Sequence, residues 1–126
     1  MTKHAVLLTL SALAVAALQT GCGEKEKALT YQASIKPILE ANCVSCHVPS
    51  GAGYEKSGLR LDSHEALMKG TKFGPVVVPG SSVSSTLYRL VSGQADPSIR
   101  MPHGAAALPE ADVATIAAWI DQGAKY

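Results

Sequence analysis

With 126 residues, 47% of them hydrophobic and 17% charged, the chain can build one small domain and no more. Its 11 basic and 10 acidic side chains nearly cancel, which excludes the basic surface that nucleic-acid binding needs and leaves no global field to steer a charged partner. Lys56, Arg60, Lys69 and Lys72 form the one local basic stretch, read as an ordinary solvated loop.

The first element is a leader. Lys3 and His4 give a short basic start, and Ala5 to Leu18 is apolar apart from Thr9 and Ser11. That run falls short of the ~20 residues of a membrane span and matches the apolar core of a signal peptide. It ends in Leu18-Gln19-Thr20-Gly21-Cys22, which resembles a bacterial lipoprotein signal, where a small residue precedes the cysteine that is lipidated. Thr20 and Gly21 suit that pattern and Gln19 departs from it. The expected organisation is a signal peptide over 1–21, a lipid-anchored tether over 22–29 attached through Cys22, and one domain over 30–126. Conventional secretion and an uncleaved anchor are the alternatives. Glu24-Lys25-Glu26-Lys27 has no apolar face and reads as a solvated spacer. Gly23 stands where some bacteria place an aspartate that retains lipoproteins in the inner membrane, so the outer membrane is favoured for the anchor of the exported protein, with a soluble periplasmic form as the alternative.

Thr30 is a plausible N-cap, and Tyr31, Ile35, Ile38 and Leu39 recur at helical spacing, so a helix is predicted near 31–42, with Pro37 as a source of distortion. It runs into Cys43-Val44-Ser45-Cys46-His47, the C-x-x-C-H attachment signature of a c-type haem. Positions i, i+3 and i+4 share one face of a helical turn, so Cys43 and Cys46 can each add to a haem vinyl group while His47 turns toward the iron. A zinc site would bring a second ligand pair, and the remaining histidines, His4, His64 and His103, supply none. The chain has one Phe, one Trp and four Tyr, which is little bulk for a core. A porphyrin would fill that gap, although an Ala-rich helical domain could look similar.

Residues 48–58 are rich in Gly, Pro and Ser and read as loop. Asp62 or Ser63 could cap a short helix through about Met68, Val76-Val77-Val78 reads as a brief extended run, and Ser81 to Ser85 could cap a helix bearing Leu87, Leu90 and Val91 that Gly93 ends. Residues 94–108 are again mostly loop. The clearest helix begins at Pro109, carries Glu110 and Asp112 at its positive end, has a Val113, Ile116, Ala117, Ile120 stripe, and stops at Gly123.

Around the C-x-x-C-H motif stand Pro37-Ile38-Leu39, Arg60-Leu61-Asp62-Ser63, Val78-Pro79-Gly80-Ser81, Met101-Pro102-His103 and Trp119-Ile120-Asp121-Gln122-Gly123-Ala124. In order and spacing these elements resemble the small monohaem cytochrome c family over about residues 30–126. The resemblance implies an all-α fold of three to five helices packed around one covalent haem c, the first and last helices crossing and one haem edge exposed. It implies Met101 as the distal iron ligand opposite His47. A departure is His103, where the family pattern has a second proline, so His103 is the competing ligand, with His64 a weaker one. Met68 is expected to pack in the core. Arg60 could contact a haem propionate, and Trp119 and Tyr31 are expected to pack where the helices cross.

The resulting expectation is a monomeric electron carrier, not an enzyme, cycling Fe(III)/Fe(II) with His/Met ligation and exchanging electrons with redox partner proteins. A haem sensor or peroxidase-like enzyme with an open or displaceable sixth position is the alternative.

Overall fold

In a computed structural model that describes residues 26–126, five short α-helices and a π-helical segment are joined by irregular loops, with no strand among the described residues. This is the all-α architecture expected of a small cytochrome c fold. The signal peptide at 1–21 and the lipidation site Cys22 lie outside the described residues. So does the start of the tether.

The entry into the domain is set by Thr30, whose extended backbone lets its Oγ1 accept from the Ala33 N–H at 3.2 Å. Tyr31–Ile35 then forms a π-helical turn leading into α1, Lys36–Asn42. Pro37 explains the widened turn. A proline ring clashes with the carbonyl four residues back and has no N–H to give it. Opening the turn to i→i+5, as in the Lys36 N–H to Tyr31 carbonyl bond, relieves both problems without breaking the helix. Ile35, Ile38 and Leu39 face the core as the spacing predicts.

The last helix, α5, spans Glu110–Asp121. Pro109 sits at its N-cap, one position earlier than expected, and Ile116, Trp119 and Ile120 are 0% exposed. This buried triplet lies against the π-helical turn and α4, Thr86–Val91. Val76 and Val77 are buried beneath α4 but form no ladder. Their backbone is instead held by helix-entry groups: Leu87 N–H donates to the Val76 carbonyl at 2.9 Å, and Val78 N–H donates to Ser85 Oγ at 2.8 Å.

Two helices follow the C-x-x-C-H motif. Within the segment read as loop, Ala52–Ser57 forms α2, closed by Gly58 in the left-handed conformation at φ 72°. The glycines that lower helix propensity there are the two caps, Gly51 and Gly58, and one close-packing position, Gly53, so tertiary contact overrides local preference. The second, α3, runs His64–Lys69 behind an N-cap at Ser63, whose Oγ accepts from Ala66 N–H at 3.2 Å. Leu67 is its fully buried residue, and Met68 packs against the core as expected.

The C-terminal residues close the domain. Tyr31 N–H and Trp119 Nε1–H both donate to the Lys125 carbonyl at 2.8 Å, and the His64 ring bonds the Ala124 carbonyl at 2.8 Å through Nε2. Tyr31, His64, Trp119 and Tyr126 form one aromatic cluster, with ring centroids 5.2 Å apart for Tyr31–His64 and 6.4 Å for Tyr31–Trp119. Tyr31 and Trp119 thus sit where the first and last helices meet. His64 is committed to this cluster and to Ala124.

Candidate haem site

α1 ends at Asn42 and the chain tightens into one further turn, in which the Cys46 and His47 N–H groups both donate to the Cys43 carbonyl at 3.1 Å. That turn places Cys43, Cys46 and His47 together, with unlike surroundings. Cys43 is half-buried and packs against the core, and burial, followed by the neighbouring Cys46, pushes its thiol up to about 11. Cys46 is exposed.

His47 is 8% exposed, and its Nδ1 lies 3.3 Å from the Leu59 carbonyl. A carbonyl oxygen only accepts, so Nδ1 carries the proton and the lone pair resides on Nε2. Among the described residues Nε2 has no hydrogen-bond partner. An imidazole anchored through one nitrogen to a backbone carbonyl and free at the other is the arrangement of a metal ligand with a fixed tautomer and orientation.

The ring is clamped from a second side. A Cβ at Gly53 would stand 2.7 Å from His47 Cε1 and 2.8 Å from Nε2. Only glycine lets α2 approach the imidazole this closely. Ser57 ties the two clamps to each other, since its hydroxyl donates to the Gly53 carbonyl at 2.6 Å and accepts from Leu59 N–H at 3.1 Å. His47, Leu59, Ser57 and Gly53 therefore form a closed ring of contacts. Neither Gly53 nor Ser57 stood out in the sequence; a glycine six residues after the motif histidine, inside a segment that reads as loop, was the only available signal.

Met101 is half-buried against the core, and its N–H donates to the Leu90 carbonyl at 3.1 Å, which ties the methionine loop to the end of α4. Two residues on, His103 is exposed. Arg60 is also exposed and engages Asp62 through two parallel bonds, Nε to Oδ1 at 3.2 Å and Nη2 to Oδ2 at 2.7 Å. That pairing holds the Asp62 carboxyl below its usual range.

The donor chemistry fits a covalent haem: two thiols and an oriented imidazole in one turn, with a thioether in a core-packed loop. Two clefts of the described surface lie away from Cys43, Cys46, His47 and Met101, although Arg60 borders the second. One, of about 350 Å³, lies between α4 and α5, and the other, of about 540 Å³, runs beside α3.

Comparison with known proteins agrees with this geometry. The model of the family described as Planctomycete cytochrome C matches residues 43–104, from the first motif cysteine past Met101. No curated protein and no solved structure matches the chain.

Proposed function

Starting from a small cytochrome c domain that holds haem c, we propose that this protein is a single-electron carrier in which Cys43 and Cys46 form the thioethers, His47 is the proximal ligand and Met101 the distal one. The observation that carries the reading is the His47 ring, anchored at Nδ1 by the Leu59 carbonyl with Nε2 left for a metal. The haem supplies a redox centre that passes between ferric and ferrous states. The chain's own residues do the rest. Leu59 fixes the tautomer of His47, Gly53 and Ser57 fix its plane, and burial of the ring limits how far it can swing when the iron changes charge.

The choice of Met101 over His103 rests on placement. Met101 packs on the core and has its backbone tied to α4, whereas His103 is solvent-exposed. His64 is less suited still, because its Nε2 is engaged by Ala124. A filled sixth position leaves no room for substrate at the iron, which supports a carrier rather than an enzyme.

Export and lipid anchoring through Cys22 complete the proposal. They rest on the leader sequence, and no described helix is long and apolar enough to cross a membrane. The test of the central reading is the visible spectrum of the oxidised holoprotein. Met101 ligation gives the weak long-wavelength band of ferric iron bound to thioether sulfur. A c-type spectrum without that band, unchanged in Met101→Ala, would overturn the assignment and favour histidine or open ligation.

A further inference from the structure

Phe73 is 82% exposed, the largest exposure among the bulky apolar side chains described. It is not on a loose loop. Thr71 and Gly74 exchange backbone bonds at 2.9 and 3.2 Å, Thr71 Oγ1 donates to the Gly74 carbonyl at 3.0 Å, and Phe73 N–H donates to that same Oγ1 at 3.0 Å. Gly70 makes the turn feasible, because its φ of 81° and the 2.5 Å that would separate its Cβ from the Gly74 oxygen exclude any side chain. Lys72 Nζ stands 5.3 Å from the centroid of the Phe73 ring. An aromatic ring is thus held in the solvent by a rigid turn, so little ordering entropy is lost when it is buried against a partner.

The ground beside it is basic. Lys69 and Lys72 border the cleft of about 540 Å³ and form no ion pair among the described residues, while Arg60, also at the rim, is spent on Asp62; Glu65 is the one acidic lining residue.

The turn is also wired to the haem ligand. His47 Nδ1–H bonds the Leu59 carbonyl at 3.3 Å, Leu59 N–H bonds Ser57 Oγ at 3.1 Å, and the Ser57 carbonyl accepts from Lys72 N–H at 3.0 Å, next to Phe73. Electron tunnelling decays less steeply along covalent and hydrogen bonds than through empty space. This chain of bonds connects the proximal imidazole to the displayed ring.

We propose that the 71–74 turn is a docking knob for a one-electron redox protein, Phe73 entering an apolar socket whose acidic rim meets Lys69 and Lys72, with the electron crossing between that partner and His47 along this chain. The inference rests on the electron-carrier reading. In each encounter one electron passes, the haem iron changing by one unit of charge and the partner's redox centre by the opposite unit, and no proton moves. The occupant follows from charge complementarity: Lys72 beside a rigid aromatic anchor, and Lys69 on the neighbouring cleft, form no ion pair among the described residues and meet an acidic rim around an apolar socket.

The test uses the holoprotein on gold carrying a mixed monolayer of carboxylate- and methyl-terminated alkanethiols, a surface of the stated chemistry. Adsorbed mass and the interfacial electron-transfer rate are recorded together. Phe73→Ser should lower both several-fold while leaving the visible spectrum and midpoint potential unchanged. Lys69→Glu with Lys72→Glu should abolish adsorption there and allow it on an ammonium-terminated monolayer. Adsorption of either variant equal to that of the parent, with the haem spectrum intact, overturns the docking proposal alone. Loss of binding only to phosphatidylglycerol vesicles would also overturn it, by making the knob a membrane contact. A parent protein lacking a c-type haem spectrum would instead sink the carrier reading itself.

Discussion

The Leu59 carbonyl lies 3.3 Å from Nδ1 of His47, and the hydroxyl of Ser57, two residues earlier, is what holds Leu59 there. Ser57→Ala removes both bonds of that hydroxyl and leaves Leu59 N–H without its partner, a loss of about 1–3 kcal/mol if the group stays desolvated. The expected signature is a change in the electron paramagnetic resonance g-values of the ferric haem and a shift in midpoint potential, with Ser57→Thr restoring both. Destabilisation with unaltered g-values would assign Ser57 a purely structural role.

Gly53→Ala should be more severe. Its Cβ would stand within 3 Å of two His47 ring atoms and at 3.0 Å from the Cys46 carbonyl. The imidazole or the backbone must move, so the variant should mature with less haem or with a shifted proximal ligand. Haem stoichiometry by pyridine haemochrome assay checks this, and full loading with the parent spectrum would contradict the close approach.

Asp121 accepts from both the N–H and the hydroxyl of the buried Ser82, at 2.6 and 2.9 Å, so the end of α5 clasps the turn before α4. Asp121→Ala strands two buried donors and should lower stability by about 1–3 kcal/mol. Chemical denaturation of the holoprotein measures it. A neutral result would mean that water reaches Ser82.

Burial, and then the charges of Glu40, Asp62 and Tyr126, raise the Tyr31 phenol above its ordinary value of 10.0. A raised folded-state value means that the stability Tyr31 contributes is present below pH 10 and drains away as pH climbs through the folded value, because the unfolded phenol ionises first. Tyr31→Phe should therefore unfold at higher pH than the parent in an alkaline titration while differing little at neutrality. Identical alkaline midpoints would remove Tyr31 as the group responsible.

The sequence carried the helices that bury an apolar stripe and the one motif whose spacing is chemistry. Ile35, Ile38 and Leu39, and Ile116 with Ile120, showed a helical period because a buried face imposes it. Cys43, Cys46 and His47 stood out because their interval is the one that the proposed haem attachment needs. α2 was not, since Gly51, Gly53 and Gly58 are selected by contact with the motif and by a left-handed cap rather than by helix propensity. Nor could the valine run be resolved: three β-branched residues suggest extension, yet their partners are Leu87 N–H and a serine hydroxyl, groups separated in sequence and invisible to local pattern. The clasp of Asp121 on Ser82 has the same character.

The groups that close this domain meet at residues 124 and 125, far along the chain from the turn that carries the cysteines. Until the Lys125 carbonyl arrives, the Tyr31 N–H and the Trp119 indole have no partner for their bonds, and the first helix has no finished surface to settle on. With that contact unmade the domain stays open, and Cys43, whose sulfur the closed domain partly covers, is more reachable for chemistry than in the closed fold.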